Sequence, residues 1–166
     1  MFNFLKRWFP KPLTSNEETI VTYIQEHAIL FGSRDYNVAT PNSDYDYFFY
    51  VSEYAKFLIL LSGFRIKYKG IPIYHSAIGI FDGIEFTLSD GRTFQVVCFG
   101  SLESYNSIVE TNDLMKLLCK SIDFSNREYR HQAFTTCRNF IRFSDTTQLL
   151  PEIRTFLQQF NPELLI

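Results

Sequence analysis

Two aspartates one residue apart, Asp44 and Asp46, precede an apolar run from Tyr47 to Val51, and a Gly32-Ser33 pair closes an earlier run of Ile29, Leu30 and Phe31. If 44–51 is a strand, alternate side chains share a face, so Asp44 and Asp46 project side by side with Tyr45 opposite. Carboxylates that close repel unless a cation lies between them, and hard oxygen donors of this kind suit Mg²⁺. Gly32 lets another group approach the backbone, and Ser33 adds a hydroxyl beside free amides, which suits a phosphate. Each piece alone has a plainer reading: Gly-Ser is a common turn, and Asp-x-Asp a common solvated strand start. Together, between two strands, they define a candidate phosphate-and-metal site.

The full order is Gly32, Ser33, Arg34, then Ala39, Thr40, Pro41, Asn42, Ser43, Asp44, Tyr45 and Asp46. It resembles the signature of the DNA polymerase β nucleotidyltransferase superfamily, in particular its small stand-alone members from bacteria and phages. The order of elements extends the likeness over 30–105. The resemblance implies a nucleoside triphosphate (NTP) bound with Mg²⁺ or Mn²⁺, and transfer of a nucleoside monophosphate to an acceptor. That acceptor is left open among a small molecule, an RNA end and a protein. On the matched positions Asp44 and Asp46 are the metal ligands, and Gly32, Ser33, Arg34 and Ser43 contact the nucleotide. Similar proteins have glycine where this chain has Asn37, and asparagine is the commonest substitute at positive φ.

Such enzymes use a third carboxylate from a later strand beside the Asp-x-Asp strand. The matching segment is 93–99, and the position expected to be acidic holds Gln95. An amide offers a carbonyl oxygen but neither charge nor a basic site, and a base contributes roughly 10²–10⁴-fold to such a step. Glu85, on the partner strand of a hairpin, is the first candidate substitute and Asp82 the second. A further cluster, Arg127, Arg130, His131 and Arg138, falls on one side of a helix by spacing. Related proteins often carry basic residues on a C-terminal helix that meets the triphosphate or acceptor, which makes Arg127, Arg130 and His131 candidate nucleotide contacts. The plainer reading is a surface face paired with Glu128 and Asp123.

The elements that must position these groups follow from the pattern. Thr14 to Glu18 supply a cap and an acidic first turn for a helix over 16–27, with Ile20, Tyr23, Ile24 and His27 on one face. A strand over 28–32 comes next, then a short helical turn within 34–40. A helix starts at Ser52-Glu53 and is closed by Gly63. Arg65, Lys67 and Lys69, at spacing two, predict an exposed cationic strand whose charges discourage aggregation. Residues 72–81 are β-prone and include His75, read as structural. Residues 84–88 and 93–99 flank Ser89-Asp90-Gly91-Arg92 as a hairpin. Helices are expected over 101–120, 125–143 and 150–160. Strands followed by helices argue for an α+β fold with a mixed sheet flanked by helices, of nucleotidyltransferase type by the resemblance. One domain over 1–166 is expected, its core at 14–105 and its C-terminal helices at 106–166.

Composition narrows the partners. The chain has 166 residues, 46% apolar and 20% charged, which describes a globular protein. A net charge of −2 gives no global signature of nucleic-acid binding. Three cysteines without metal spacing, Cys98, Cys119 and Cys137, predict buried thiols and a reducing cytoplasm. Phe2, Phe4, Leu5, Trp8 and Phe9 predict an amphipathic end that docks on the domain, with membrane-surface contact as the alternative; no segment is long enough to span a bilayer. Three function classes follow: a nucleotidyltransferase, a catalytically degenerate relative acting as a binding or regulatory module with a protein partner, and a plain interaction domain with a chance motif.

Overall fold

The structure, a computed structural model, describes residues 11–71 and 80–160. Thr14 caps α1 (Ser15–His27). Its hydroxyl accepts from the Glu17 amide, and the Glu17 carboxylate accepts from the Thr14 amide at 2.8 Å, closing a capping box. β1 (Ile29–Phe31) runs directly into α2 (Gly32–Asp35). After a turn-rich connection, β2 (Tyr45–Tyr50) leads without a loop into α3 (Val51–Gly63). β3 (Lys69–Gly70), β4 (Ile80–Thr87) and β5 (Thr93–Phe99) complete the strands. Three helices follow: α4 (Leu102–Leu118), α5 (Arg127–Phe143) and α6 (Pro151–Phe160).

The strands form one five-stranded sheet in the order β1-β2-β5-β4-β3. β2 and β5 run parallel and the other neighbouring pairs antiparallel, so the sheet is mixed and the fold α+β. Alternation along β2 and β5 sorts their side chains between two faces. Tyr47, Phe49, Phe94, Val96 and Cys98 pack with Ile20 and Ile24 of α1 and Phe57 and Leu61 of α3. Phe48 and Phe99 face the other way, onto Ile108 of α4 and Phe134 of α5. Phe48, Phe49, Phe57 and Phe94 are fully buried, each contributing about 1.5–3 kcal/mol of transfer free energy. A third cluster joins Met115 and Leu118 of α4, Cys137 of α5 and Ile153 of α6 to Tyr36, just beyond α2.

The expected cationic strand is not one. Arg65 takes φ +57° and its amide donates to the Ser62 carbonyl, so the chain turns there; only Lys69 of the three cations lies in a strand. Spacing alone could not reveal this, because a left-handed residue removes the alternation that made the pattern meaningful. Gly63 likewise does not supply the positive φ that closes a helix: it is the last residue of α3, and the left-handed position falls at Arg65. The hairpin is as expected, with Gly91 at φ +89° in its turn, but β4 begins at Ile80 and carries a register shift between Ile80 and Asp82. Cys98 and Cys137 are buried and Cys119 half-buried, all three unpaired thiols. Among the described residues no helix is long and apolar enough to cross a membrane. The readings for His75 and for Phe2, Phe4, Leu5, Trp8 and Phe9 concern residues outside those described.

Candidate active site

The sheet register lines up Phe31, Asp46, Gln95, Glu85 and Lys69 across the five strands. Asp46 shares a face with Phe48, the face covered by α4 and α5. Tyr45 lies on the other face, its ring stacked on Phe94 with centroids 5.0 Å apart. Gln95 is the direct neighbour of Asp46 across the parallel β2–β5 pair. Its Nε2 donates to Asp44 Oδ2 at 3.2 Å and to Glu85 Oε2 at 3.0 Å. Glu85 in turn meets Lys69 Nζ at 2.7 Å through its other oxygen. The Lys69 ammonium, together with the Gln95 amide, holds the Glu85 carboxyl below its ordinary range despite partial burial. Asp82 lies on the opposite side, accepting from the Tyr54 hydroxyl of α3 at 3.1 Å.

Gly32, the first residue of α2 just past the end of β1, leaves room for Asp46. It sits at φ +74°, and a Cβ built there would lie 2.6 Å from Asp46 Oδ2, so any side chain would displace the carboxylate. Beyond it, Asn37 takes φ +56°, the conformation anticipated for an asparagine in a glycine's place. Arg34 holds the approach to β2: its guanidinium donates to the carbonyls of Ser43 and Asp44 and lies 3.7 Å from the centre of the Tyr45 ring. Ser43 Oγ accepts from the Thr40 amide at 2.9 Å, closing the turn before the aspartates. Arg34 is thus tied to the backbone of the Asp-x-Asp motif, while Ser43 also borders the cavity described next.

A cavity of about 590 Å³ opens between this strand end and α5. Gly32, Ser33, Ser43, Asp44, Asp46 and Gln95 form one side of its lining. Arg127, Arg130, His131 and Arg138 line it from α5, so the helix brings together the four residues that spacing had grouped. Arg130 Nη1 donates to the Phe124 carbonyl at 2.6 Å, which holds one edge of its guanidinium against the α4–α5 connection in place of the surface pairing with Glu128 or Asp123. Arg138 is only 2% exposed, and burial with Arg142 nearby lowers its pKa to about 10, so it remains a cation.

Electrostatics single out Asp46. Burial first, and then the neighbouring Asp44 carboxylate, push it from an ordinary 3.8 up to about 7, against the opposing pull of Arg127, Arg130 and Arg34. Like charges crowded on one strand end are relieved by a cation, and Asp44 and Asp46 are the residues that could hold one. Gln95 fits beside them as a neutral donor. Among the described residues no group of three or more His, Cys, Asp or Glu is arranged to hold a metal ion. The donor set therefore suits one divalent cation on two carboxylates better than a pair of cations on three.

Several supporting residues escaped the sequence reading. Tyr36 lines the cavity and donates to Asn112 Oδ1 at 2.6 Å; Asn112 donates on to Asp35 Oδ2 at 2.9 Å, and Lys116 lies 3.1 Å from the same oxygen. This network ties α2 to α4 across a separation in sequence that no local pattern reveals. Phe134, Thr135 and Asn139 also line the cavity. Here a signal did exist, since they continue the helical spacing of Arg127, Arg130 and His131.

No protein-family model and no curated protein matches the sequence. Three solved structures are similar in part. A cytoplasmic RNA terminal U-transferase is 16% identical over 61% of this chain and 34% of that one, with a TM-score of 0.35. The Cid1 poly(U) polymerase is 15% identical over 63% of this chain and 39% of its own, with a TM-score of 0.36. Cid1 in complex with the UTP analog UMPNPP is 17% identical over 78% of this chain and 38% of its own, with a TM-score of 0.37. The chain spans 34–39% of the length of these structures. At such scores the likeness carries no conclusion about function.

Proposed function

We propose that this chain is a nucleotidyltransferase-like protein that binds an NTP with Mg²⁺ or Mn²⁺ in the cavity and transfers a nucleoside monophosphate to an acceptor. One observation carries the reading: two adjacent carboxylates, one pushed up to about 7, share a cavity with guanidiniums of α5. Carboxylates and arginines lining one cavity suit a ligand that is itself anionic and arrives with a cation. Asp44 and Asp46 would hold the cation. When bound, the cation would neutralise triphosphate charge in an in-line displacement. Gly32 leaves Asp46 its place, and Ser33 and Ser43 offer hydroxyls at the same end. Arg127, Arg130 and His131 would contact the anionic groups of the nucleotide, and Arg34 positions the aspartates through their backbone.

Gln95 favours a second reading, a degenerate member that binds nucleotide as a regulatory module. The amide neither ionises nor accepts a proton, and Glu85, the candidate substitute, is engaged by Lys69 and Gln95. Calorimetric titration of the full chain with each of the four NTPs, with and without Mg²⁺, tests the shared premise. Metal-dependent binding that disappears in Asp44→Asn while the fold is retained is the expected result. Failure of all four to bind under either condition would leave the motif as a chance arrangement in an interaction domain. Transfer to any acceptor then separates the first reading from the second.

A further inference from the structure

We propose that Asn112, in the middle of α4, is a positioning residue of the nucleotide site: its amide clamps the β1–α2 junction from both sides and so holds Ser33 against the cavity. This rests on the nucleotide reading above and adds the group, remote in sequence, on which that site depends for its shape.

The junction needs a brace from outside. β1 has three residues, lies at the edge of the sheet and pairs with β2 alone. α2 has four residues, a single turn, and so short a helix does not persist by itself in water. Gly32 takes φ +74° where the two meet, and glycine gives up more conformational freedom than any other residue when it is fixed. The Tyr36 amide donates to the Gly32 carbonyl at 3.1 Å and the Val38 amide to the Ser33 carbonyl at 2.9 Å. These bonds set the curl of the turn and not its angle to the strand. That angle matters, because Gly32 and Ser33 line the cavity and Gly32 lies close against the Asp46 carboxylate.

Asn112 supplies the brace. Its Nδ2 donates to the Leu30 carbonyl at 3.2 Å and to Asp35 Oδ2 at 2.9 Å, and its Oδ1 accepts from the Tyr36 hydroxyl at 2.6 Å. Leu30 stands two residues before Gly32; Asp35 and Tyr36 stand two and three after Ser33. Both amide hydrogens and the carbonyl oxygen are thus engaged on the two flanks of the Gly32-Ser33 pair. Burial and the neighbouring Asp35 carboxylate push the Tyr36 phenol up, which keeps it the donor in its bond to Asn112.

Packing alone asks for a different side chain here. Asn112 is 1% exposed, at helical spacing between Ile108 and Met115, both of which join apolar clusters. A hydrocarbon of similar shape would fill that position without burying polar groups, whereas a buried amide is costly unless its partners are in place. Those partners all fall within three residues of Gly32-Ser33. The bonds therefore fix one turn, the turn that carries the proposed phosphate contact, and not the core at large.

The test is calorimetric titration of each of the four NTPs with Mg²⁺ into the full chain, at a temperature where circular dichroism shows the variants folded. Asn112→Leu should weaken binding by about tenfold or more, the worth of a hydrogen bond to a charged phosphate lost as Ser33 drifts. Asp35→Asn and Asp35→Ala carry the same charge and both lose the 3.1 Å ion pair with Lys116, so they differ in the oxygen offered to Asn112. Asp35→Asn should bind nucleotide about three- to tenfold tighter than Asp35→Ala, as one hydrogen bond predicts, and the difference should vanish in the Asn112→Leu background. Tyr54→Phe is the control for general loosening: it removes another buried tyrosine's hydroxyl bond, to Asp82 at 3.1 Å on the opposite side of the sheet. It should lower the melting temperature and leave nucleotide binding unchanged. Parental affinity in a folded Asn112→Leu overturns the proposal, as does equal affinity of the two Asp35 variants, or a loss in Tyr54→Phe as large as in Asn112→Leu. Should Asn112→Leu fail to fold, the Asp35 pair decides. A parent chain that binds none of the four NTPs fails at the nucleotide reading instead, a different and separately visible outcome.

Discussion

At the junction of α1 with the β4–β5 turn, the Glu17 carboxylate accepts from the Thr14 amide at 2.8 Å, the Ser89 amide at 2.7 Å and the hydroxyls of both residues. At the head of β2, Asp46 faces Asp44 and a wall of arginines it does not pair with directly. Burial alone would raise both carboxyls. The donors around Glu17 overcome it and bring that group down to about 2, whereas Asp44 adds to it and Asp46 is pushed up to about 7. A carboxylate whose lone pairs are filled by its own chain supports the fold. One left crowded against a second carboxylate is a place prepared for something from outside.

The comparison breaks most visibly at Asp46. Asp46→Asn should weaken Mg²⁺-dependent nucleotide binding on the order of 100-fold or more, since a charge–cation contact in a partly screened site is worth on the order of 4 kcal/mol. Stability should move the other way. A carboxyl raised in the folded state supplies stability below its unfolded pKa, near 4, and loses it as pH rises through 7. Without ligand the variant should therefore melt higher than the parent at pH 8, with the gap closing by pH 4. A variant that melts lower at pH 8 would mean that the aspartates are structural, like Glu17.

Gly32→Ala attacks the same place through the backbone. An alanine at φ +74° with its Cβ 2.6 Å from Asp46 Oδ2 should cost about 1–3 kcal/mol and impair binding together with stability. Glu17→Gln should cost about 2 kcal/mol at pH 7, because hydrogen bonds to a charged acceptor are replaced by fewer and weaker ones. Its sign is opposite to that of Asp46. A depressed carboxyl gives stability above its unfolded pKa, near 4.5, and loses it as pH falls toward 2, so the two melting curves should converge in acid. Nucleotide binding should be untouched.

The legible parts of the molecule were those set by neighbours in sequence. The α1 cap, the turn at Gly91 and the shared face of Asp44 and Asp46 each follow from a few consecutive residues, and each is present. The spacing of Arg127, Arg130, His131 and Arg138 correctly put them on one helix side, but which wall that side would face depended on packing. Local reading failed where one backbone angle overrode a pattern, as at Arg65, and where partners are remote, as in the Tyr36–Asn112 contact. Placing Gln95 beside Asp46 needed the parallel β2–β5 pairing, which no hairpin rule provides; the resemblance to a known motif supplied that expectation.

Gln95→Asp tests whether the neutral neighbour tunes the site. The new carboxylate would stand beside Asp44 and close to Glu85, so the variant should lose stability in the absence of divalent cation. With Mg²⁺ and nucleotide present it should regain it, with cation affinity up by about tenfold, a modest share of a full charge contact after screening. A variant that unfolds with no response to ligand would mean that this position is simply part of the packed sheet.

The smallest expected effect is also the most discriminating about Glu85. Lys69 is 72% exposed and pairs with Glu85 at the edge of the sheet, a kind of ion pair worth about 0–1 kcal/mol. Lys69→Met should leave the melting temperature almost unchanged. It also removes the charge that holds the Glu85 carboxylate away from other duties, leaving that group with the Gln95 amide alone. If Gln95 separates Glu85 from the cation, Mg²⁺ affinity in the presence of nucleotide should rise by less than about twofold, as expected for an exposed charge screened by water and salt. A rise as large as that of Gln95→Asp would mean that Glu85, once released, reaches the cation itself. The crowded region would then extend one strand further across the sheet, and Lys69 would belong with the groups that hold a carboxylate in reserve.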